Sequence, residues 1–120
     1  MNISFITIPT SSIDDSIDFY TRVLGFTEKN RVTPREGIEI AFLGDQKGGV
    51  IELIQRPGDI DLSACPVSLG FEVEDINAVR DLLADNGVDI LMGFTEAGGG
   101  TILMQAKDLN GFRLGFVQTG

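Results

Sequence analysis

The chain has 120 residues, enough for one compact domain, and 42% of them are hydrophobic, enough for a real core. Eighteen acidic against nine basic residues leave a net charge of −9; this argues against nucleic acid, whose phosphates need a basic face, and against an anionic membrane surface, and it favours solubility. The longest apolar stretches fall far short of the ~20 residues of a membrane span, so neither a membrane partner nor a targeting segment is expected.

Residues 3–8 (Ile-Ser-Phe-Ile-Thr-Ile) are β-branched and aromatic and read as a strand, ended by Pro9 and the Thr10-Ser11-Ser12 cluster. Ser12 is a natural N-cap, with Asp14 and Asp15 in the first turn, where acids suit the helix dipole. Ile13, Ile17, Tyr20 and Leu24 fall at helical spacing with Phe19 and Val23 beside them, and Gly25 closes the helix. Three strands should follow, near 26–32, 37–43 and 50–55, with Pro34 and Gly37 breaking the first pair and residues 44–49 turning the second. A linker is expected at 57–65. It ends at Cys65, the single cysteine, which cannot form an internal disulfide and fits a cytoplasmic location. A catalytic thiol would want a histidine, and the chain has none.

The second half repeats the order. Residues 66–73 alternate, with Val67, Leu69, Phe71 and Val73 on one face and Ser68, Gly70 and Glu72 on the other. Asp75 caps a helix carrying Ile76, Val79, Leu82 and Leu83, and Asn86-Gly87 ends it. Strands near 89–95, 100–106 and 112–118 complete the set. The repeat is explicit at an offset of 63: Ile13 matches Ile76, Gly37 matches Gly100, Asp45 matches Asp108, Gly48 matches Gly111 and Gln55 matches Gln118. Such an offset means two copies of one unit sharing a core, because half the chain buries too little surface to be secure alone. The expected fold is α+β: one domain of two tandem βαβββ modules (1–56 and 66–120), forming a curved mixed sheet with a cleft on the face the helices leave free.

The stretch Phe19-Tyr20-x-x-x-Leu24-Gly25-Phe26, with Ser16 three residues before it and the Asp108-x-x-Gly111 turn before a closing strand and Gln118, resembles the vicinal oxygen chelate superfamily. That group includes glyoxalase I, extradiol dioxygenases and the bleomycin-binding proteins. The resemblance implies a divalent-metal site with one ligand from the first and one from the fourth strand of each module. Carried over by position, those places hold Phe5 and Glu52, then Ser68 and Gly115. Only Glu52 is a competent ligand. One carboxylate builds neither an open zinc site nor an oxygen cage, and histidine nitrogens are lacking. The metal site is therefore expected to be lost, with Glu52 its vestige, and no cofactor is expected.

Glu52 should face the cleft, because its neighbours at 51 and 53 point the other way. An acid in an apolar strand needs a partner or water, or serves as an anchor for a ligand. Arg113 and Glu72 share the cleft parity with Gly115 and Ser68. Arg113 has two possible roles: neutralising Glu52 or Glu72, or meeting an anionic ligand. Phe5 is expected in the cleft as a stacking face. Phe42, Met92, Phe94, Met104 and Tyr20 are expected in the core. Gly98-Gly99-Gly100 reads as a loose connection, or as a lid; it is not a phosphate loop, since no Gly-Lys follows. The expected ligand-binding residues are thus Phe5, Thr7, Glu52, Ser68, Glu72 and Arg113. The expected function is binding of a small, partly apolar molecule without a catalytic metal. The alternative is a metal-dependent lyase, isomerase or dioxygenase of the glyoxalase I type. A homodimer is what the resemblance implies.

Overall fold

Each half of the chain builds a four-stranded mixed sheet with its helical stretch between the first and second strands. The computed structural model describes residues 1–120 and divides into two compact units, Met1–Ile60 and Asp61–Gly120. In unit 1, β1 (Ile6–Pro9), α1 (Ile13–Asp18), β2 (Thr27–Arg35), β3 (Ile38–Gly44) and β4 (Val50–Gln55) follow in order, and the sheet runs β1-β4-β3-β2. In unit 2, β5 (Ser68–Glu72), α2 (Ile76–Asp85), β6 (Ile90–Glu96), β7 (Ile102–Lys107) and β8 (Arg113–Gln118) repeat it as β5-β8-β7-β6. In both, the first strand pairs parallel with the fourth and the rest are antiparallel. The tandem βαβββ pattern expected from the repeat is what forms.

The matched residues each have a structural task. Gln55 Oε1 accepts a hydrogen bond from the Ile13 amide at 2.7 Å, and Gln118 Oε1 accepts one from the Ile76 amide at 2.7 Å. A helix start leaves amides without internal partners, and here the sheet supplies the acceptor. Ser12 and Asp75 add side-chain caps, Asp75 accepting from the amides of Asn77 and Ala78. Asp45 Oδ1 accepts from the amides of Lys47 and Gly49, and Asp108 Oδ1 from those of Asn110 and Phe112, which closes the turn before the last strand of each unit. Gly48 and Gly111 occupy the left-handed position these turns require, at φ +95° and +84°. Ser16, part of the family-like stretch, is buried with its hydroxyl 2.6 Å from that of Thr10.

The core of unit 1 is Ile8, Ile13, Phe19, Tyr20, Leu43, Ile51 and Leu53; that of unit 2 is Ile76, Leu83, Met104, Leu114 and Phe116. Tyr20 and Met104 are buried as expected.

Several elements differ from the sequence expectation. The single helix over 13–24 is two segments: α1 stops at Asp18, and Phe19–Val23 is a π-helical turn in which the Leu24 amide donates to the Phe19 carbonyl at 3.2 Å. The Thr21 hydroxyl donates back to the Ile17 carbonyl at 2.6 Å, a local bond that competes with regular helix. The wider turn brings neighbouring Phe19 and Tyr20 both inward, with Tyr20 edge-on to Phe19 and to Phe26. The first strand starts at Ile6 rather than Ile3, since its register with β4 begins at Ile6–Ile51 and would run Ile3 into the 44–49 turn. Pro34 does not end β2; an edge strand tolerates a missing amide, and the strand shifts register between Val32 and Arg35 instead. The strand expected over 66–73 is only Ser68–Glu72, and Val67 is 55% exposed.

Three side chains expected in the core lie outside it. Met92 and Phe42 are half-buried, and Phe94 is 39% exposed with the Arg80 guanidinium 4.9 Å over its ring. Met92 and Phe94 belong to edge strand β6, which twice shifts register and so loses strict alternation.

Candidate functional site

In unit 1, α1 packs on β3 and β4. Ile51 and Leu53 of β4 face it, 2% and 0% exposed. Alternation therefore turns Glu52 to the opposite, helix-free face. The register sets Glu52 between Thr7 of β1 and Phe42 of β3. The Thr7 hydroxyl donates to Glu52 Oε1 at 2.7 Å. Phe5, just before β1, meets Phe42 edge to face, with ring centroids 5.7 Å apart and planes at 81°.

Three of the six expected site residues, Phe5, Thr7 and Glu52, are thus brought together, with Phe42 as a fourth. Residues 40–43 are apolar without a break, so the sequence carries no alternation that would place Phe42 here. In the folded sheet Ala41 and Leu43 are both fully buried, and strict alternation then puts Phe42 on the other face. Glu52 is half-buried and forms no ion pair. It presents one oxygen held by Thr7 and one free to accept. Chemically, this is an aromatic edge-and-face pair around a single anchored acceptor.

In unit 2, Ser68 and Arg113 are register partners across β5 and β8, on the face opposite the buried Leu114 and Phe116. Glu72 lies on the same face at the far end of β5. The neutralising role open to Arg113 is not taken up: it forms no ion pair. Gly70 and Gly115 sit opposite each other between these ends. No group of three or more His, Cys, Asp or Glu side chains is arranged to hold a metal ion.

The family model described as Glyoxalase/Bleomycin resistance protein/Dioxygenase superfamily matches residues 2–116. The chain belongs to this superfamily. Its fold matches that of a glyoxalase family protein from Bacillus cereus, with a TM-score of 0.86 at 20% identity over 100% of this chain and 95% of the other. An antibiotic binding protein from Streptomyces sp. CB03234 aligns with a TM-score of 0.78 at 18% identity, over 100% and 97%. A glyoxalase I mutant from Zea mays aligns with a TM-score of 0.83 at 20% identity, over 97% of this chain and 44% of its own length. No curated protein matches by sequence. At these identities the structural likeness speaks for the fold alone. The four residues to which the resemblance carries the superfamily's ligand positions, Phe5 and Glu52 in unit 1 and Ser68 and Gly115 in unit 2, stand in equivalent pairs in the two sheets. No helix is long and apolar enough to cross a membrane.

Proposed function

We propose that this superfamily member binds a small, partly apolar organic molecule on the helix-free sheet face that carries Phe5, Phe42, Thr7 and Glu52, without a catalytic metal. The observation that carries the reading is the ring of Phe5. It stands where the resemblance implies a metal ligand, packed edge-on to Phe42 beside Glu52. A phenyl ring coordinates nothing and fills the space a ligand atom would need. Gly115 has no side chain to offer, and Ser68 is a poor ligand when neutral. The residues present do not fit the superfamily's metal. They do fit a binding surface, which needs apolar contact and a few polar anchors. Glu52, pinned by Thr7, is the anchor, and Phe5 with Phe42 supplies the aromatic contact. That one structural neighbour is an antibiotic binding protein supports a carrier or sequestering role of this kind. A cytoplasmic location goes with the reading, since a single cysteine forms no disulfide within the chain.

Two measurements test it together. Elemental analysis of protein purified without added metal should show no tightly held transition metal, and the hemithioacetal of methylglyoxal and glutathione should not turn over with added Ni or Zn. One bound metal per chain, or turnover that Glu52→Gln abolishes, would replace the proposal with a lyase or isomerase of the glyoxalase I type.

A further inference from the structure

Most glycines here are explained by their backbone. Nine of them have positive φ, where a side chain is strained. Gly70 and Gly115 are not among them. Both lie in extended strands. A Cβ added to Gly70 would meet nothing within 4 Å, and one added to Gly115 would meet only Gly70 Cα and the Leu69 carbonyl oxygen at 3.9 Å, an ordinary contact. Neither conformation nor packing asks for glycine. Glycine inside a strand also weakens it, by losing more backbone freedom on folding and packing no side chain. β5 and β8 pair without a register shift, so no bulge accounts for these glycines, and an unexplained strand glycine often marks a site where a ligand or another backbone comes close.

The register makes the two glycines one feature. Gly70 pairs with Gly115, and Gln105 pairs with Gly115 from the other side. The row Gly70–Gly115–Gln105 is the repeat equivalent, at the offset of 63, of Thr7–Glu52–Phe42. Where unit 1 carries a hydroxyl, a carboxylate and a ring, unit 2 exposes bare peptide across two strands. The next side chains on that face are Ser68 and Arg113 at one end and Glu72 and Val117 at the other. They are four residues apart along each strand, about 13 Å at ~3.3 Å per residue. This is room for a flat molecule of two fused rings to lie on the peptide planes.

The two ends differ in charge. Arg113 is half-buried and forms no ion pair, and Ser68 is its register partner on β5. Its strand neighbour Lys107 is already matched with Asp89 at 3.6 Å, so Arg113 is the free cation of this face. Its planar fork suits a carboxylate bidentately. Glu72 at the opposite end repels an anion, which fixes the direction. We propose that the Gly70–Gly115 strip of the second sheet is a binding surface for a planar aromatic carboxylate, lying on bare backbone with its carboxylate on Arg113 and Ser68. The inference rests on the second sheet and does not depend on the role of Glu52.

The test uses 2-naphthoate as the probe and 2-naphthylmethanol as its neutral counterpart, titrated into isotope-labelled full-length protein and followed by amide NMR. Naphthoate should shift the Gly70 and Gly115 amides. Its affinity should fall at least about tenfold in Arg113→Gln, the scale of a lost charge-assisted hydrogen bond, and similarly in Gly70→Val and Gly115→Val. The alcohol should bind more weakly and be indifferent to Arg113→Gln. Both valine variants should keep or exceed the wild-type Tm, since valine suits a strand and the space is open. Absence of amide shifts at these glycines, affinity unchanged by the substitutions, equal binding of the alcohol, or a valine variant that loses stability would each overturn the proposal. The last would show that the glycines are structural.

Discussion

Gln55 and Gln118 show what holds single residues at an offset of 63. Each closes the fourth strand of its unit and accepts the first amide of that unit's helix at 2.7 Å. Replacing Gln118 with Leu leaves the Ile76 amide without its acceptor, and an unsatisfied buried donor costs roughly 1–3 kcal/mol. Urea denaturation of Gln118→Leu should show a loss in that range. Glu72→Gln, at an exposed position without an ion pair, should stay within about 0.5 kcal/mol of wild type. The glutamine match was plain in the sequence; its purpose was not, because the bond spans 42 residues and only the sheet brings its ends together. Thr7 and Glu52 are a similar case. Their parity was legible, their hydrogen bond was not.

At the scale of elements, regular strands and caps were readable and irregular ones were not. Ser12 and Asp75 were evident as caps because capping is local chemistry. The π-helical turn at Phe19–Val23 was hidden, because the Thr21 back-bond to Ile17 is accompanied by a tertiary feature, the burial of two adjacent aromatic side chains. Tyr20, fully buried at 0% exposure and touching Phe19 and Phe26, is the keystone of that turn. Tyr20→Ala should cost about 3–5 kcal/mol by the measure of large aromatic truncations, against less than ~1 kcal/mol for Leu82→Ala on α2, where the side chain is 42% exposed. Thermal or chemical unfolding of the two variants checks the contrast. The edge strands also differ. β2 is exposed along its length and carries Lys29, Arg31, Pro34 and Arg35, which discourage pairing with another chain. β6 exposes Leu91 and Phe94 instead.

For the whole molecule, the repeat and the Phe19-Tyr20 stretch together led to the superfamily, which the family match over residues 2–116 establishes. Homodimers are what the resemblance implies, so light scattering of the purified protein should return a mass near twice 12.9 kDa; a value near 12.9 kDa itself would refute that expectation. The sequence by itself determined the two units, the order of their strands and helices and the parity of Glu52, because hydrophobic alternation, caps and turn glycines are written locally and were written twice. Tertiary structure alone decided three further points. Phe42 leaves the core to meet Phe5, Thr7 holds Glu52, and Gly70 lies against Gly115 with room for a Cβ at both. Each depends on which strands become neighbours and in what register, a relation between residues far apart in the chain that local pattern cannot specify.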